Sequence, residues 1–179
     1  MTVYKPYSFD VYVRIFHALA IIFLKFVFYG FFRLKVIGRE NIPRGKKPFV
    51  VMPNHLSNLD PPVVSAALDI HIASMAKEEL YRNWFFRWLI LSLGAFSVNR
   101  KKIEKGTIKT AKEVISKGWC LGVFLEGTRS KTPGILGMPN LGPAYFANLV
   151  DVPILPVGIT CSNKMFGPIA VKIGKLFNL

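Results

Sequence analysis

The sequence predicts a single-domain α/β fold, with a mostly parallel mixed sheet flanked by helices and an N-terminal amphipathic, membrane-associating helix in front of it. Three observations lead to this prediction. A chain of 179 residues accommodates one domain with a substantial core and is too short for two ordinary domains. Over residues 34–179, short apolar runs alternate with helical patterns, which is typical of layered folds with parallel strands. Residues 1–33 instead contain one long apolar stretch.

The apolar stretch over residues 9–32 is interrupted by Arg14, His17 and Lys25. A spanning helix usually needs about 20 predominantly apolar residues. On a helical wheel, these three side chains and Asp10 fall within about 80°. The pattern favours a helix that lies in the membrane interface over a helix that spans the bilayer or one that is buried on the domain. Because no small-residue cleavage site follows, we expect the segment to stay on the protein.

In the α/β domain, the elements follow from apolar runs of strand length and from longer helical patterns. Strands are predicted at 34–38, 48–53, 70–76, 95–99, 120–126, 153–159 and 169–174. Helices are predicted at 61–68, 83–93, 103–118 and 142–150. A residue before proline avoids the helical region, so the first of these helices should begin at Pro61, with Asp60 as its N-cap.

The composition combines a basic excess with a large apolar fraction. Lys and Arg outnumber Asp and Glu by 24 to 10, and 51% of the residues are hydrophobic. A protein that rests on anionic lipid needs both properties, whereas a nucleic-acid binder seldom has both and shows recognised motifs that this chain lacks. Cys120 and Cys161 are too few for a disulfide framework and have no metal-ligand spacing. We therefore expect a reducing cytoplasmic environment and no metal.

The stretch NHLSNLD places His55 five residues before Asp60, directly after a predicted strand. A carboxylate on one imidazole nitrogen fixes the tautomer and makes the other nitrogen a better base. The alternative is an ordinary loop that enters a helix. No G-x-S-x-G elbow occurs, and Cys120 sits inside an apolar run, so a protein nucleophile is missing. A base here would activate a substrate hydroxyl or water directly.

Two further polar groups follow predicted strands. In VFLEGTRSKT, the strand ends in Glu126, and Gly127 allows a tight turn before Thr128 and Arg129. In GAFSVNRKK, Arg100 stands at another strand end. Arginine suits bidentate phosphate binding. The alternatives are a surface salt bridge between Glu126 and Arg129, and a solvated basic loop.

In this order, the stretches NHLSNLD, GAFSVNR, FLEGTRS and VPILPV resemble the four sequence blocks of the glycerolipid acyltransferase family. The resemblance covers residues 34–174 and is strongest to the bacterial 1-acyl-glycerol-3-phosphate acyltransferases, which make phosphatidic acid from lysophosphatidic acid. The first and third blocks match most closely. By this resemblance, His55 is the general base and Asp60 its orienting partner. The acceptor and phosphate site that it implies comprises Lys77, Arg100, Glu126, Gly127, Thr128 and Arg129.

The resemblance also implies an acyl donor, a partner surface and a location. The donor would be acyl-coenzyme A or acyl carrier protein, as a substrate, with no cofactor. The enzyme would sit on an anionic bilayer, at the cytoplasmic face of a bacterial membrane. Asn140 stands where family members often have a lysine, which removes one phosphate contact and leaves the acceptor less defined. Glycerol 3-phosphate, another lysophospholipid or a lyso-aminolipid stay open as acceptors, as does a non-catalytic lipid-binding protein.

Overall fold

The α-helices and strands of the described residues have the predicted types and order. The computed structural model describes residues 4–5, 11–43, 45, 47–99, 105–130, 136–160, 162 and 167–178. Within them the helices are α1 (Val11–Gly30), α2 (Asp60–Leu68), α3 (Trp84–Ser92), α4 (Lys105–Ser116) and α5 (Leu141–Val150). The strands are β1 (Lys35–Ile37), β2 (Val50–Pro53), β3 (Ile72–Lys77), β4 (Phe96–Val98), β5 (Cys120–Gly122), β6 (Ile154–Thr160) and β7 (Ala170–Ile173).

The described strands form one sheet in the order β1-β7-β6-β2-β5-β3-β4. Among these strands, only β6 and β7 pair antiparallel; the other neighbours are parallel. The predicted mostly parallel mixed sheet is therefore confirmed. Because β2, β5, β3 and β6 are mutually parallel, their carboxyl ends meet at one edge in the centre of the sheet. In open α/β sheets, ligands bind outside this edge.

Each face of the sheet is covered by its own apolar cluster. Side chains alternate between the two faces along a strand, and Val50 and Val51 of β2 accordingly belong to different clusters. The cluster that contains Val51 includes side chains of α2 and of the later part of α1, whereas the one that contains Val50 includes side chains of α4 and α5 and also Val13 of α1. This three-layer packing makes the central strands a rigid base for the loops that follow them.

The fifth strand is shorter than the sequence predicts, since the regular strand ends at Gly122 and not at Glu126. The chain still continues along β2. Val123 N–H donates to Val51 O at 3.0 Å, and Leu125 N–H donates to Pro53 O at 2.9 Å. These bonds to β2 carry the chain from β5 to Glu126, at the edge where β2 ends.

Two polar residues of α1, His17 and Lys25, contact the domain, whereas Asp10 lies outside the described residues. His17 is only 3% exposed, and its Nδ1 lies 3.2 Å from Nδ1 of His71. Lys25 Nζ lies 2.8 Å from Asp69 Oδ2. These contacts turn the apolar side of α1 outward. The exposed apolar residues of the helix, each at least 56% exposed, are Val11, Tyr12, Ile15, Leu19, Ile22, Phe23 and Phe26.

His17 and His71 are held in their neutral forms between α1 and the sheet. Burial and the neighbouring His71 lower the pKa of His17 to about 4. Burial and Arg14 lower the pKa of His71. A histidine whose pKa falls on folding binds protons more readily in the unfolded chain. Its contribution to stability is thus present above the ordinary pKa of 6.5 and is lost as the pH falls toward the folded value.

We expect the free energy of unfolding to decrease as the pH falls from about 7 to about 4.5. Urea unfolding at several pH values measures this, with the variant His17→Gln as the comparison because glutamine does not titrate. The decrease should be smaller in the variant. Equal pH dependence in the two proteins would contradict the assignment of the neutral form to His17.

Candidate active site

The candidate site lies where β2, β5 and β6 end in the middle of the sheet. Asn54 is the first residue after β2 and is buried. Its side chain binds the main chain of Ile159 twice: Nδ2 donates to the carbonyl at 3.1 Å, and Oδ1 accepts from the N–H at 2.6 Å. This pair of bonds imitates one step of a strand ladder. It holds the start of the loop against β6, so that His55 leaves the sheet in a defined direction.

His55 and Asp60 are in contact, as the sequence predicts. His55 Nδ1 lies 2.8 Å from Asp60 Oδ2, and the Asp60 side chain is completely buried. The main-chain N–H groups of Leu56 and Ser57 donate to the same oxygen at 2.5 and 2.7 Å. A carboxylate accepts only, so in the neutral form of His55 the proton lies on Nδ1, and Nε2 has the lone pair. Nε2 is therefore the nitrogen that can act as a base.

The predicted start of α2 is wrong by one residue. The helix begins at Asp60, and Leu59 occupies the N-cap position without a side-chain cap bond. Pro61 and Pro62 have no N–H for a capping carboxylate to bind, and proline is well tolerated in the first turn. The Asp60 carboxylate instead turns back to the loop, where it meets His55 and two main-chain donors.

The third sequence block, FLEGTRS, packs directly on the first, NHLSNLD. Ser130 N–H donates to the main-chain oxygen of His55 at 2.8 Å. The Phe124 ring stacks on the imidazole, with 4.1 Å between ring centroids and 24° between ring planes. Sequence reasoning missed Phe124, because an apolar residue in an apolar strand gives no signal of its own. The stack and the carboxylate together restrict both the tilt and the rotation of the His55 ring.

Glu126 is 7% exposed and lies at the end of the extension of β5. Its Oε1 accepts from Gly137 N–H at 3.1 Å, whereas no donor reaches its buried Oε2 within the described residues. Gly127 has a φ of 65°, a left-handed conformation that suits the tight turn predicted at this glycine. Thr128 and Arg129 follow it and are exposed. In the described part of the chain, Arg129 forms no ion pair with Glu126.

The other cations of the predicted acceptor site are less directly placed. Lys77 ends β3, which is separated from β2 by β5. Its Nζ lies 3.1 Å from Glu79 Oε1, and its side chain is half exposed. Arg100 lies outside the described residues. The structure therefore brings together His55, Asp60 and the loop after Glu126, with Lys77 two strands away along the same edge.

Neither Cys120 nor Ser57 acts as a nucleophile next to His55 in this arrangement. Cys120 begins β5 and so lies at the opposite edge of the sheet, and burial raises the pKa of its thiol to about 11. Ser57 Oγ donates to Ser162 O at 3.1 Å and accepts from Leu59 N–H at 3.0 Å. Cys161 lies outside the described residues. The geometry fits a base that activates an incoming hydroxyl.

A second residue that sequence reasoning missed completes the surroundings of Asp60. Ser162 follows β6 and is 1% exposed. Its Oγ donates to Asp60 Oδ1 at 2.5 Å, across 102 positions of sequence. Nothing near Ser162 in the sequence marks it, because its partner is close only after β2 and β6 have paired.

The family model and the relatives that match this chain are all acyltransferases. The family model described as "Acyltransferase" matches residues 33–160. A 1-acyl-sn-glycerol-3-phosphate acyltransferase of Borreliella burgdorferi is 29% identical over 136 residues, which cover 75% of this chain and 54% of that protein. A protein of the same name from Saccharomyces cerevisiae is 30% identical over 139 residues, covering 75% of this chain and 45% of that protein. The chain thus spans about half the length of these relatives.

A solved structure shares the fold. The 1-acyl-sn-glycerophosphate (LPA) acyltransferase PlsC from Thermotoga maritima superposes with a TM-score of 0.69 at 24% identity. The superposition covers 93% of this chain and 68% of that one. It confirms the predicted α/β architecture with its apolar N-terminal helix.

Proposed function

This chain belongs to the acyltransferase family, and on that premise we propose that it transfers a fatty acyl group from an acyl thioester to the free hydroxyl of 1-acyl-glycerol-3-phosphate. The product would be phosphatidic acid, for phospholipid synthesis. One observation carries the proposal: a base with a buried carboxylate partner at 2.8 Å, packed against the loop that follows Glu126. The names of the curated relatives supply the acceptor.

In the proposed reaction, His55 Nε2 removes the proton from the acceptor hydroxyl as its oxygen attacks the thioester carbonyl carbon. The C–O ester bond forms and the C–S bond breaks, and the imidazolium returns the proton to the departing thiolate. Asp60 stabilises the imidazolium and holds the ring. A positioned general base typically contributes about 10²–10⁴-fold. No protein residue becomes acylated.

The acceptor phosphate would bind the cations of the third and second blocks. Arg129 is exposed beside the His55 loop and free of an ion pair within the described residues, so its guanidinium is available for a phosphate. We assign Arg100 and Lys77 to the same site. Lys77 would bind the phosphate after its ion pair with Glu79 breaks. Gly127 and Thr128 shape the turn that presents Arg129. Holding the acceptor in this way makes the attack nearly unimolecular.

Glu126 has a separate part in this proposal. Its Oε1 fixes Gly137, and its buried Oε2 has no donor in the described part of the chain. A buried carboxylate oxygen without a partner is costly. We infer that the oxygen receives a donor when substrate binds, either a glycerol hydroxyl or a guanidinium of the acceptor site.

The outward face of α1 would rest on the membrane. By length and composition α1 could cross a bilayer, but its polar residues His17 and Lys25 contact the domain, which favours a helix that lies in the interface. Aromatic residues of α3 continue the apolar surface: Trp88 contacts Phe16 of α1, with 5.8 Å between ring centroids. A net charge of +14 suits anionic lipid. Acyl thioesters are cytoplasmic, so we place the site at the cytoplasmic face of a bacterial membrane.

We expect the double variant Ile22→Asp with Phe26→Asp to bind anionic vesicles at least about tenfold more weakly, because each exposed side chain would otherwise be buried in lipid. Sedimentation with phosphatidylglycerol vesicles measures this. The control is Ile37→Asp, an exposed apolar residue on β1, paired with a second acidic change at Leu176 to match the charge. Equal loss of binding in both proteins would contradict a membrane face on α1.

The acceptor and the donor carrier are decided by one experiment on the purified protein. Lysophosphatidic acid, glycerol 3-phosphate, a neutral lysophospholipid and a lyso-aminolipid are each offered with palmitoyl-coenzyme A and with palmitoyl-acyl carrier protein. Mass spectrometry of the products should show phosphatidic acid as the main product. If another acylated product predominates, the reaction type stays as proposed and the acceptor is a different one. Binding to vesicles without any product would favour the non-catalytic lipid binder.

A further inference from the structure

The four donors to the Asp60 carboxylate are divided unequally between its two oxygens. Oδ2 accepts from His55 Nδ1 and from the N–H groups of Leu56 and Ser57, all three within the same loop. Oδ1 accepts from Ser162 Oγ, which is the one donor to that oxygen among the described residues. The hydrogen bond to Oδ1 therefore comes from a residue outside the loop.

Ser162 is fixed to the His55–Asp60 loop from two directions. Its Oγ donates to Asp60, and its main-chain oxygen accepts from Ser57 Oγ at 3.1 Å. The residue is 1% exposed and stands two positions after the end of β6, which is parallel to β2. These bonds connect the loop after β2 with the chain after β6, beyond the point where the two strands stop pairing.

We propose that Ser162 is a positioning residue of the reaction, which holds the Asp60 carboxylate in the rotation that keeps His55 aligned for proton transfer. The proposal rests on the proposed function of His55 as the general base. It assigns to Ser162 no contact with substrate. Its hydroxyl acts through Asp60.

The physical reason is the cost of a buried oxygen without a donor. A buried acceptor that loses its hydrogen bond costs about 1–3 kcal/mol, and more if it is charged. Without the Ser162 hydroxyl, the Asp60 carboxylate would lower this cost by rotating about its Cβ–Cγ bond, so that its two oxygens share the remaining three donors. The bond from His55 Nδ1 would lengthen, and the imidazole would lose its alignment. Phe124 restrains the plane of the ring but supplies no hydrogen bond to orient it.

The test compares Ser162→Ala with Ser162→Thr, which keeps the hydroxyl, and with Ser92→Ala, a buried serine at the end of α3. We expect kcat of Ser162→Ala to fall about tenfold, since a 1 Å misplacement can cost about 10²-fold and this one is partial. The KM values for donor and acceptor should not change. Ser162→Thr should recover most of the lost kcat, and Ser92→Ala should match the wild type.

A spectroscopic measurement separates positioning from folding and needs no turnover. The hydrogen-bonded Nδ1–H proton of His55 should give a downfield NMR signal, which is assigned among the three histidines of the chain by its loss in His55→Ala. In folded Ser162→Ala this signal should move upfield and broaden. An unchanged signal, or a fall in kcat that only follows the folded fraction, would overturn the proposal. If the wild type transfers no acyl group, the proposed function fails, and the NMR signal still tests the link from Ser162 to His55.

Discussion

Replacing His55 with alanine should lower the rate of acyl transfer by about 10²–10⁴-fold, the typical contribution of a positioned general base. The variant loses the only imidazole at the carboxyl edge of the described strands, since His17 and His71 pack against each other between α1 and the sheet. Thiol release from palmitoyl-coenzyme A, followed with a thiol reagent in the presence of lysophosphatidic acid, measures the rate.

The matched control for this change is His71→Gln, which removes a histidine outside the site. We expect it to retain transfer activity while it changes the stability of α1 against the domain. Vesicle binding by His55→Ala should equal that of the wild type, because His55 is only 7% exposed and is not one of the exposed apolar residues of α1. Near-normal transfer by His55→Ala would remove the base from the mechanism.

The change Asp60→Asn should lower kcat by about 10²–10⁴-fold with little effect on KM. The amide keeps the shape of the carboxylate but has no charge to stabilise the imidazolium, and it can present an N–H group to His55 and so favour the wrong tautomer. Steady-state kinetics with both substrates varied provides the measurement. The change should also lower stability. Four buried donors bind the two oxygens of the Asp60 carboxylate, and an amide has only one oxygen to accept from them.

The control for Asp60→Asn is Asp69→Asn, an exposed carboxylate that pairs with Lys25 of α1. It should have near-normal kcat, because surface ion pairs contribute little to stability. Circular dichroism of both variants checks that they fold. If folded Asp60→Asn kept more than about a tenth of wild-type kcat, Asp60 would have a structural role only.

The fold was largely predictable because it depends on local patterns. Alternating apolar runs identified the strands of the sheet and the helices between them. The orientation of α1 was not predictable in the same way. A hydrophobic wheel shows that the polar residues share one side, but not whether that side faces water or protein. Here the partners are His71 for His17 and Asp69 for Lys25, which are 54 and 44 positions away.

In the candidate site too, contacts between residues close in sequence were predictable, and contacts between distant residues were not. His55 and Asp60 were predictable because they are five residues apart in one loop. The pairing of Asn54 with Ile159 and of Ser162 with Asp60 depends on β2 and β6 lying side by side, across more than 100 positions. The sequence places the start of α2 one residue too late, because it does not reveal that the Asp60 carboxylate binds the preceding loop and not the first turn of the helix. Arg100 lies outside the described residues, so its place at the phosphate stays a prediction.

Direct transfer through His55 is tested most sharply by measuring thiol release and phosphatidic acid on the same samples, with and without lysophosphatidic acid. The wild type should release one thiol for each phosphatidic acid formed, with no burst of thiol when the acceptor is absent. His55→Ala should show neither product above background. A burst equal to the enzyme concentration without acceptor would reveal an acylated protein residue and contradict the account.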